Sequence, residues 1–297
     1  MKLAAIDIGS NAARLLITEI TETADGPSFS KLNLVRVPLR LGFDVFEKGE
    51  ISKERFNMLM QTMKAYGHLL NVYEVKHVKA CATSAMRDAK NGEDILRRVK
   101  METGIEISII TGDEEASLIY ENHVAEHLDK EHSYLYIDVG GGSTELTFFA
   151  DSNLHSKKSF NIGTIRLLKN QVSETIWDEL KDHIKKNFRS SLPKIAIGSG
   201  GNINKVFSLS KRKEGKPLTL DLLKDYLKEL SSVSLEQRKN LYKMREDRAD
   251  VIVPALQIYV NVMRWAEIDE IYVPKIGLAD GLVQSLYEQL RKEGSYA

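Results

Sequence analysis

Asp138 and Glu145 bracket the string Asp-Val-Gly-Gly-Gly-Ser-Thr-Glu. Three consecutive glycines let a backbone turn sharply with no Cβ in the way. Successive N–H groups in such a turn can point at one anion, and two hydroxyls add donors. Asp138 faces the same place and can hold a cation, with Glu145 at the other flank. These residue types at this spacing read as a phosphate site built from Gly140, Gly141, Gly142, Ser143 and Thr144, with metal ligands beside it. The plainer alternative is a tight hairpin whose aspartate accepts backbone N–H bonds. A Walker loop is excluded because no Gly-Lys-Ser/Thr follows. A dinucleotide fingerprint needs a helix after its glycines, whereas residues 134–139 and 145–149 both read as strands.

The chain does this twice. Residues 6–16 align with residues 137–147 without a gap, Asp7 on Asp138 and Gly9 on Gly140, and both copies run on into an apolar strand. A repeat over half the chain predicts two similar domains, each offering one phosphate hairpin to a shared cleft. Asp7 mirrors Asp138 as a metal ligand or as a turn residue. Ser10, Asn11 and Arg14 are then phosphate contacts of the first copy.

Elsewhere, residues 111–114 form a capping box that predicts a helix running to about residue 128. Glu114 has the capping position, which leaves Glu115 as a candidate general base or as a favourable charge at a helix N-terminus. Arg87 follows a strand at a helix start, where a guanidinium can fork onto phosphate oxygens; a salt bridge to Asp88 or Glu93 is the alternative. Arg40 and Arg166 are weaker candidates of the same kind. Gly198-Ser-Gly-Gly201 before a helix is either a second anion loop or inherited architecture. Two motifs compete with the phosphate reading. His123, Glu126 and His127 fit a zinc-protease spacing without an obvious third ligand, and Cys81 with Arg87 fits a cysteine-phosphatase spacing without its glycines. Lys211-Arg-Lys213 is a solvated charge run that could guide a polyanion.

Those residues need a frame. A chain of 297 residues with 42% apolar content predicts two domains with real cores. Lys+Arg and Asp+Glu number 42 each, so a general nucleic-acid coat, which needs a basic excess, is not expected. The single cysteine permits no internal disulfide and fits a reducing compartment. No apolar run reaches 18 residues and no signal peptide is evident, so a cytoplasmic protein without membrane spans is expected. Each half reads β-β-β-α-β-α-β-α, which predicts an α/β fold of two duplicated domains with mixed five-stranded sheets flanked by helices. The division is expected at 1–130 and 131–297, with the helix 278–292 free to pack back on the first domain. Residues 30–41 are expected as the third strand and 43–50 as a loop.

The strings Asp7-Ile-Gly-Ser-Asn11, Ala82-Thr-Ser-Ala-Met-Arg87, Gly112-Asp-Glu-Glu-Ala116, Asp138 to Glu145, Gly163-Thr-Ile-Arg-Leu167, Gly198-Ser-Gly-Gly201 and Arg248 to Pro254 occur in order along the chain. Jointly they resemble the exopolyphosphatase/guanosine-pentaphosphate phosphatase family, within the actin, hexokinase and Hsp70 superfold (ribonuclease H-like). Two residues depart from the family pattern: Ala12 stands where a serine is expected, and Ala279 where an arginine is expected. The length resembles the short, two-domain form. The resemblance implies a phosphoanhydride hydrolase acting in a cleft between two actin-like domains. It makes Glu115 the catalytic base and Asp138, Glu145 and Asp7 ligands of Mg²⁺, with Mn²⁺ as the alternative ion. The implied reaction releases terminal orthophosphate from inorganic polyphosphate; guanosine pentaphosphate is the alternative substrate. A non-hydrolytic sensor or an ATP-binding kinase of the same superfold is the alternative of another class. No nucleic-acid or membrane partner is implied, and a homodimer is an open option.

Overall fold

The first apolar run forms β1, Lys2–Ile8, and the chain turns straight back into β2, Ala13–Thr23. Gly9 N–H donates to the Ala12 carbonyl at 3.0 Å and closes that turn. β3, Gly26–Val37, completes an antiparallel meander, and β4, His77–Ala82, and β5, Ile107–Ile109, add in parallel. The five strands lie in the order β3-β2-β1-β4-β5. Central β1 is buried along almost its whole length, as a strand covered on both faces must be. This computed structural model describes residues 1–24, 26–118, 131–151, 153–274 and 276–294.

The helix Leu278–Lys292 packs on β1, β2 and β4. Leu278, Leu282, Leu286 and Leu290, with Ala279, Val283 and Tyr287, form its buried stripe at helical spacing. Polar contacts pin it to the same sheet: Lys31 to Asp280 at 2.5 Å, Tyr287 Oη to Glu22 at 2.8 Å and Lys79 Nζ to Ser285 at 2.8 Å. Met1–Thr111 with the segment from Leu278 thus make one compact unit, and Gly112–Gly277 make the other. The division falls at 111/112 and 277/278, where the sequence placed it at 130/131.

One expected loop is a helix. Residues 41–48 form the helix Leu41–Lys48, which buries Leu41, Val45 and Phe46. Arg40 enters it in the left-handed conformation at φ 55°, and Gly49 ends it at φ 77°. Gly42 lies inside the helix, where its N–H reaches the Ser10 carbonyl at 2.8 Å. The third strand also starts earlier than expected, at Gly26.

The second unit repeats the design. β6, Ser133–Val139, turns back into β7, Thr144–Ala150, and β8, Asn153–Phe160, completes the meander. β9, Lys194–Ser199, adds in parallel to β6; β10, Leu218–Thr219, and β11, Glu270–Tyr272, extend that side. The order is β10-β11-β9-β6-β7-β8, six strands where five were expected, because the two-residue β10 pairs onto β11. Strand alternation sends Leu135, Ile137 and Val139 into the large core with Phe148 and Tyr259, and Tyr134, Tyr136, Phe149 and Ile197 to the other face. Among the described residues no helix is long and apolar enough to cross a membrane.

Candidate active site

Alternation also places Asp138 and Glu145 on the face of Tyr134 and Tyr136. Asp138 lies opposite Glu145 across β6–β7, Glu145 opposite Ser159 across β7–β8, and Asp138 beside Ser199 across β6–β9. One polar row, Ser159–Glu145–Asp138–Ser199, therefore crosses four neighbouring strands at the ends of β6 and β9. Ser159 Oγ donates to Glu145 Oε1 at 2.8 Å, which orients that carboxylate.

The triglycine turn is fixed from behind. Gly140 N–H donates to the Ser143 carbonyl at 2.9 Å and closes the turn, the counterpart of the Gly9–Ala12 bond. Thr164 N–H and Ile165 N–H donate to the carbonyls of Gly140 and Gly141 at 3.0 and 2.8 Å, and Arg166 Nε donates to that of Gly142 at 2.7 Å. In a trans peptide the N–H points opposite to the C=O. With all three carbonyls turned toward residues 163–166, the N–H groups of Gly141, Gly142 and Ser143 are directed away from that segment. Gly163 permits the close approach: a Cβ there would lie 2.4 Å from the Gly141 oxygen. Arg166 accordingly braces the loop. Thr144 Oγ1 donates to the Ile162 carbonyl at 2.5 Å in a fully buried position, so its only hydroxyl proton is committed inside the fold.

The helix that starts at Gly112 delivers the third carboxylate. Glu114 is exposed and Glu115 is buried, as adjacent residues on different sides of a helix must be. Gly112 lets the helix start close to the sheet, since a Cβ there would lie 2.3 Å from Ser159 Oγ and 3.6 Å from Glu145 Oε1. Lys157 Nζ donates to Ser117 Oγ at 2.5 Å and ties the same helix to β8. Glu115, Asp138 and Glu145 each contribute one oxygen to a group whose members all lie within 4.8 Å of one another. The Oε2 atoms of Glu115 and Glu145 are both out of contact with solvent. All-oxygen donors of this number fit a hard divalent cation, which takes one or two carboxylates and completes its shell with water.

Two further elements support the row from behind, and of their residues Tyr259 belongs to no motif. Gly200, at φ 98°, brings the β9 turn so near that a Cβ would lie 3.0 Å from Asp138 Oδ1. Tyr259, 1% exposed, donates from Oη to the Ser199 carbonyl at 2.5 Å. Burial, and then the charge of Asp138, push its phenol well above 10, so it remains a donor. Arg248 crosses the far side of the turn, its Nη1 donating to Asn202 Oδ1 at 3.0 Å. Ser159 and Tyr259 escape sequence reasoning because a lone serine or tyrosine in an alternating or apolar stretch reads as ordinary packing.

The remaining candidates lie in the first unit. Asp7 is paired within its own hairpin: Arg14 Nη1 donates to its Oδ2 at 2.6 Å, and the Asp7 side chain is almost fully buried. Ser10 Oγ and Ser84 Oγ share a buried hydrogen bond of 2.8 Å. The Asn11 carbonyl accepts from Arg40 N–H at 2.9 Å, and the Arg40 guanidinium lies 3.9 Å from the Phe43 ring centre. Arg87 Nη1 donates to the Ile110 carbonyl at 2.9 Å, while Asp88 is 3.9 Å away. Ser10 bonds the start of the short helix Ser84–Asp88 that also carries Arg87, and Arg14 lies on β2 opposite Asp7. Cys81 is buried inside β4. The triad His123, Glu126 and His127 lies outside the described residues.

The profile of the Ppx/GppA phosphatase family matches residues 17–290. A bifunctional 3-dehydroquinate synthase/phosphatase of Fusobacterium nucleatum is 30% identical over 260 residues, which make up 80% of this chain and 38% of that protein. The chain therefore spans well under half of that relative's length. A solved Ppx/GppA family member from Aquifex aeolicus is 28% identical, with a TM-score of 0.75 over 98% of both chains. A solved exopolyphosphatase from Cytophaga hutchinsonii is 25% identical, with a TM-score of 0.82 over 97% of this chain and 98% of that one. The two mixed sheets flanked by helices are the architecture of these actin-like proteins.

Proposed function

The chain belongs to the Ppx/GppA phosphatase family, and on that premise we propose that it is an exopolyphosphatase, releasing terminal orthophosphate from inorganic polyphosphate. One observation carries the reading: three carboxylates, two of them buried, converge within 4.8 Å beside a turn whose N–H groups are directed away from residues 163–166. A phosphoryl group in transfer needs charge neutralisation and an in-line water more than covalent help.

Asp138 and Glu145 are the residues that would hold Mg²⁺, with Mn²⁺ the alternative, and the ion would neutralise charge on the phosphate oxygens. Glu115 takes the proton of the attacking water as general base, a role worth about 10²–10⁴-fold in rate. Its burial excludes bulk water from that proton transfer. The N–H groups of Gly141, Gly142 and Ser143 bind the phosphate oxygens. Gly140 closes the turn that aims them, and Thr144 anchors it through Ile162. Ser10, Asn11, Arg14 and Arg87 are proposed as further phosphate contacts in the first unit, and Asp7 as the residue that holds Arg14 in place. A single buried cysteine and a balanced charge suit a cytoplasmic enzyme of a small polyanion.

The test is orthophosphate release from long-chain polyphosphate, tripolyphosphate, guanosine pentaphosphate and ATP, each with and without Mg²⁺. Metal-dependent release from polyphosphate is expected. Release from guanosine pentaphosphate alone would replace the substrate and keep the site. Binding without release from any of the four would overturn the enzyme in favour of a sensor.

A further inference from the structure

Tyr259 belongs to the helix Ile252–Ala266 and packs in the large core, on the side of the second sheet opposite the acidic row. Its hydroxyl nevertheless reaches the row's end. Ser199, whose carbonyl it holds at 2.5 Å, is the last residue of β9 and lies directly beside Asp138. The next residue, Gly200, sits where a Cβ would be 3.0 Å from Asp138 Oδ1 and 3.9 Å from Tyr259 Oη. Phenol, turn and carboxylate share one small volume.

Side chains crowd the turn at both flanks. A Cβ on Gly198 would lie 2.7 Å from Ile271 Cδ1, and one on Gly201 would lie 2.5 Å from Arg248 Nη1. Its centre, between those two points, is held by the Tyr259 hydrogen bond to the Ser199 carbonyl and by Asn204 N–H to the Gly200 carbonyl at 3.3 Å. A phenylalanine would fill the same space but leave the carbonyl of buried Ser199 without that donor, and an unsatisfied buried acceptor drives the backbone to find another.

We propose that Tyr259 is a positioning residue for Asp138: by holding the Ser199 carbonyl it fixes the Ser199–Gly200 turn against the Asp138 carboxylate and so sets that carboxylate's geometry toward a divalent cation. This rests on the reading of Asp138 as a metal ligand. Partners behind a metal-binding carboxylate orient it, and their loss costs about 10–100-fold in metal affinity or activity.

The experiment is Mn²⁺ titration by calorimetry, without substrate, on the wild type, Tyr259→Phe and Val262→Ala. The last removes buried bulk from the same helix and leaves the Tyr259 hydroxyl in place. Tyr259→Phe is expected to bind Mn²⁺ about tenfold more weakly. Its Mg²⁺ requirement for turnover should rise in step, with kcat at saturating Mg²⁺ close to wild type. Val262→Ala should lose stability and keep its Mn²⁺ affinity. Unchanged Mn²⁺ affinity in folded Tyr259→Phe, or an equal loss in Val262→Ala, overturns the role. Should Tyr259→Phe not fold, the same titration on Tyr259→Met decides. A wild type that binds no Mn²⁺ removes Asp138 as a ligand and this role with it. A wild type that binds Mn²⁺ but does not release phosphate from polyphosphate loses the proposed substrate only.

Discussion

Arg14 and Glu145 occupy the same place in the two duplicated hairpins and carry opposite charge. Each lies directly across the ladder from its hairpin's aspartate, Arg14 from Asp7 and Glu145 from Asp138. In the first unit the aspartate is neutralised by a 2.6 Å ion pair. In the second, two carboxylates oppose each other, and like charges directly opposite in a sheet cost about 0.2–1 kcal/mol. That arrangement is what a bound cation relieves, and the repeat has kept it in one copy only.

Metal addition should therefore stabilise the protein, and removing one carboxylate should mimic it. Glu145→Gln is expected to raise the Tm of the metal-free protein by about 2–4 °C per kcal/mol relieved. Mg²⁺ should raise the wild-type Tm and leave that of the variant nearly unchanged. Calorimetric scans with EDTA and with Mg²⁺ check this; a metal-free variant less stable than wild type would contradict it.

Glu115→Gln is expected to lower kcat by about 10²–10⁴-fold with little change in KM. Glu114→Gln, one residue away and exposed, should turn over normally. Steady-state orthophosphate release on both variants reads the difference, and the reverse ranking would reassign the base.

Gly163→Ala should be costly although position 163 offers no catalytic side chain. Its new Cβ would be 2.4 Å from both the Gly141 oxygen and the Gly142 carbonyl carbon, so the triglycine turn must shift. Overpacking of this kind costs about 1–3 kcal/mol or more. Urea unfolding gives the stability loss. Orthophosphate release in the folded variant should drop as well, because the displaced turn no longer aims its N–H groups.

Cys81→Ser should keep wild-type turnover. The thiol is 1% exposed in the middle of a sheet, between Asp7 and Ser108, where no substrate phosphorus can reach it. Loss of activity in the folded variant would restore the cysteine-phosphatase spacing as a mechanism.

The hairpins, their aspartates and the buried glutamate were legible because turn chemistry and strand alternation are local. What decided their roles was not local. Whether an aspartate faces Arg14 or Glu145 follows from register, and the gapless alignment of residues 6–16 on 137–147 already contained it. Ser159 and Gly112 matter through contacts with residues far along the chain. Tyr259 is a core residue whose last atom holds the Ser199 carbonyl beside Asp138, which no hydrophobicity pattern reveals. The helix Leu41–Lys48 was hidden by two glycines, of which only Gly49 ends it; Leu41 and Val45, spaced one helical turn apart, were the overlooked signal.

His183 should make the second unit acid-sensitive. Burial, and then the charge of Lys158, lower its pKa from the ordinary 6.5. Its Nε2 is 2.9 Å from Ser156 Oγ, and the ring meets Phe160 and Phe188 edge-on. With the folded pKa depressed, the unfolded chain binds more protons just below pH 6.5, so stability falls as pH drops from there toward the folded value. His183→Gln should flatten that slope in Tm measured from pH 7.5 to pH 5, and an unchanged slope would assign it to other groups.

The first unit is assembled from segments that leave the ribosome far apart in time. Its meander is made before Gly112–Gly277, while Leu278–Lys292, which covers β1, β2 and β4, is made after the whole of that segment. The second unit is contiguous and can collapse as soon as it is synthesised. The first must wait with an apolar sheet face uncovered, the kind of surface that recruits chaperones or aggregates. Nascent chains stalled before residue 278 should therefore protect the second unit from protease and leave the first open, so that a helix made after the second unit completes a unit begun before it.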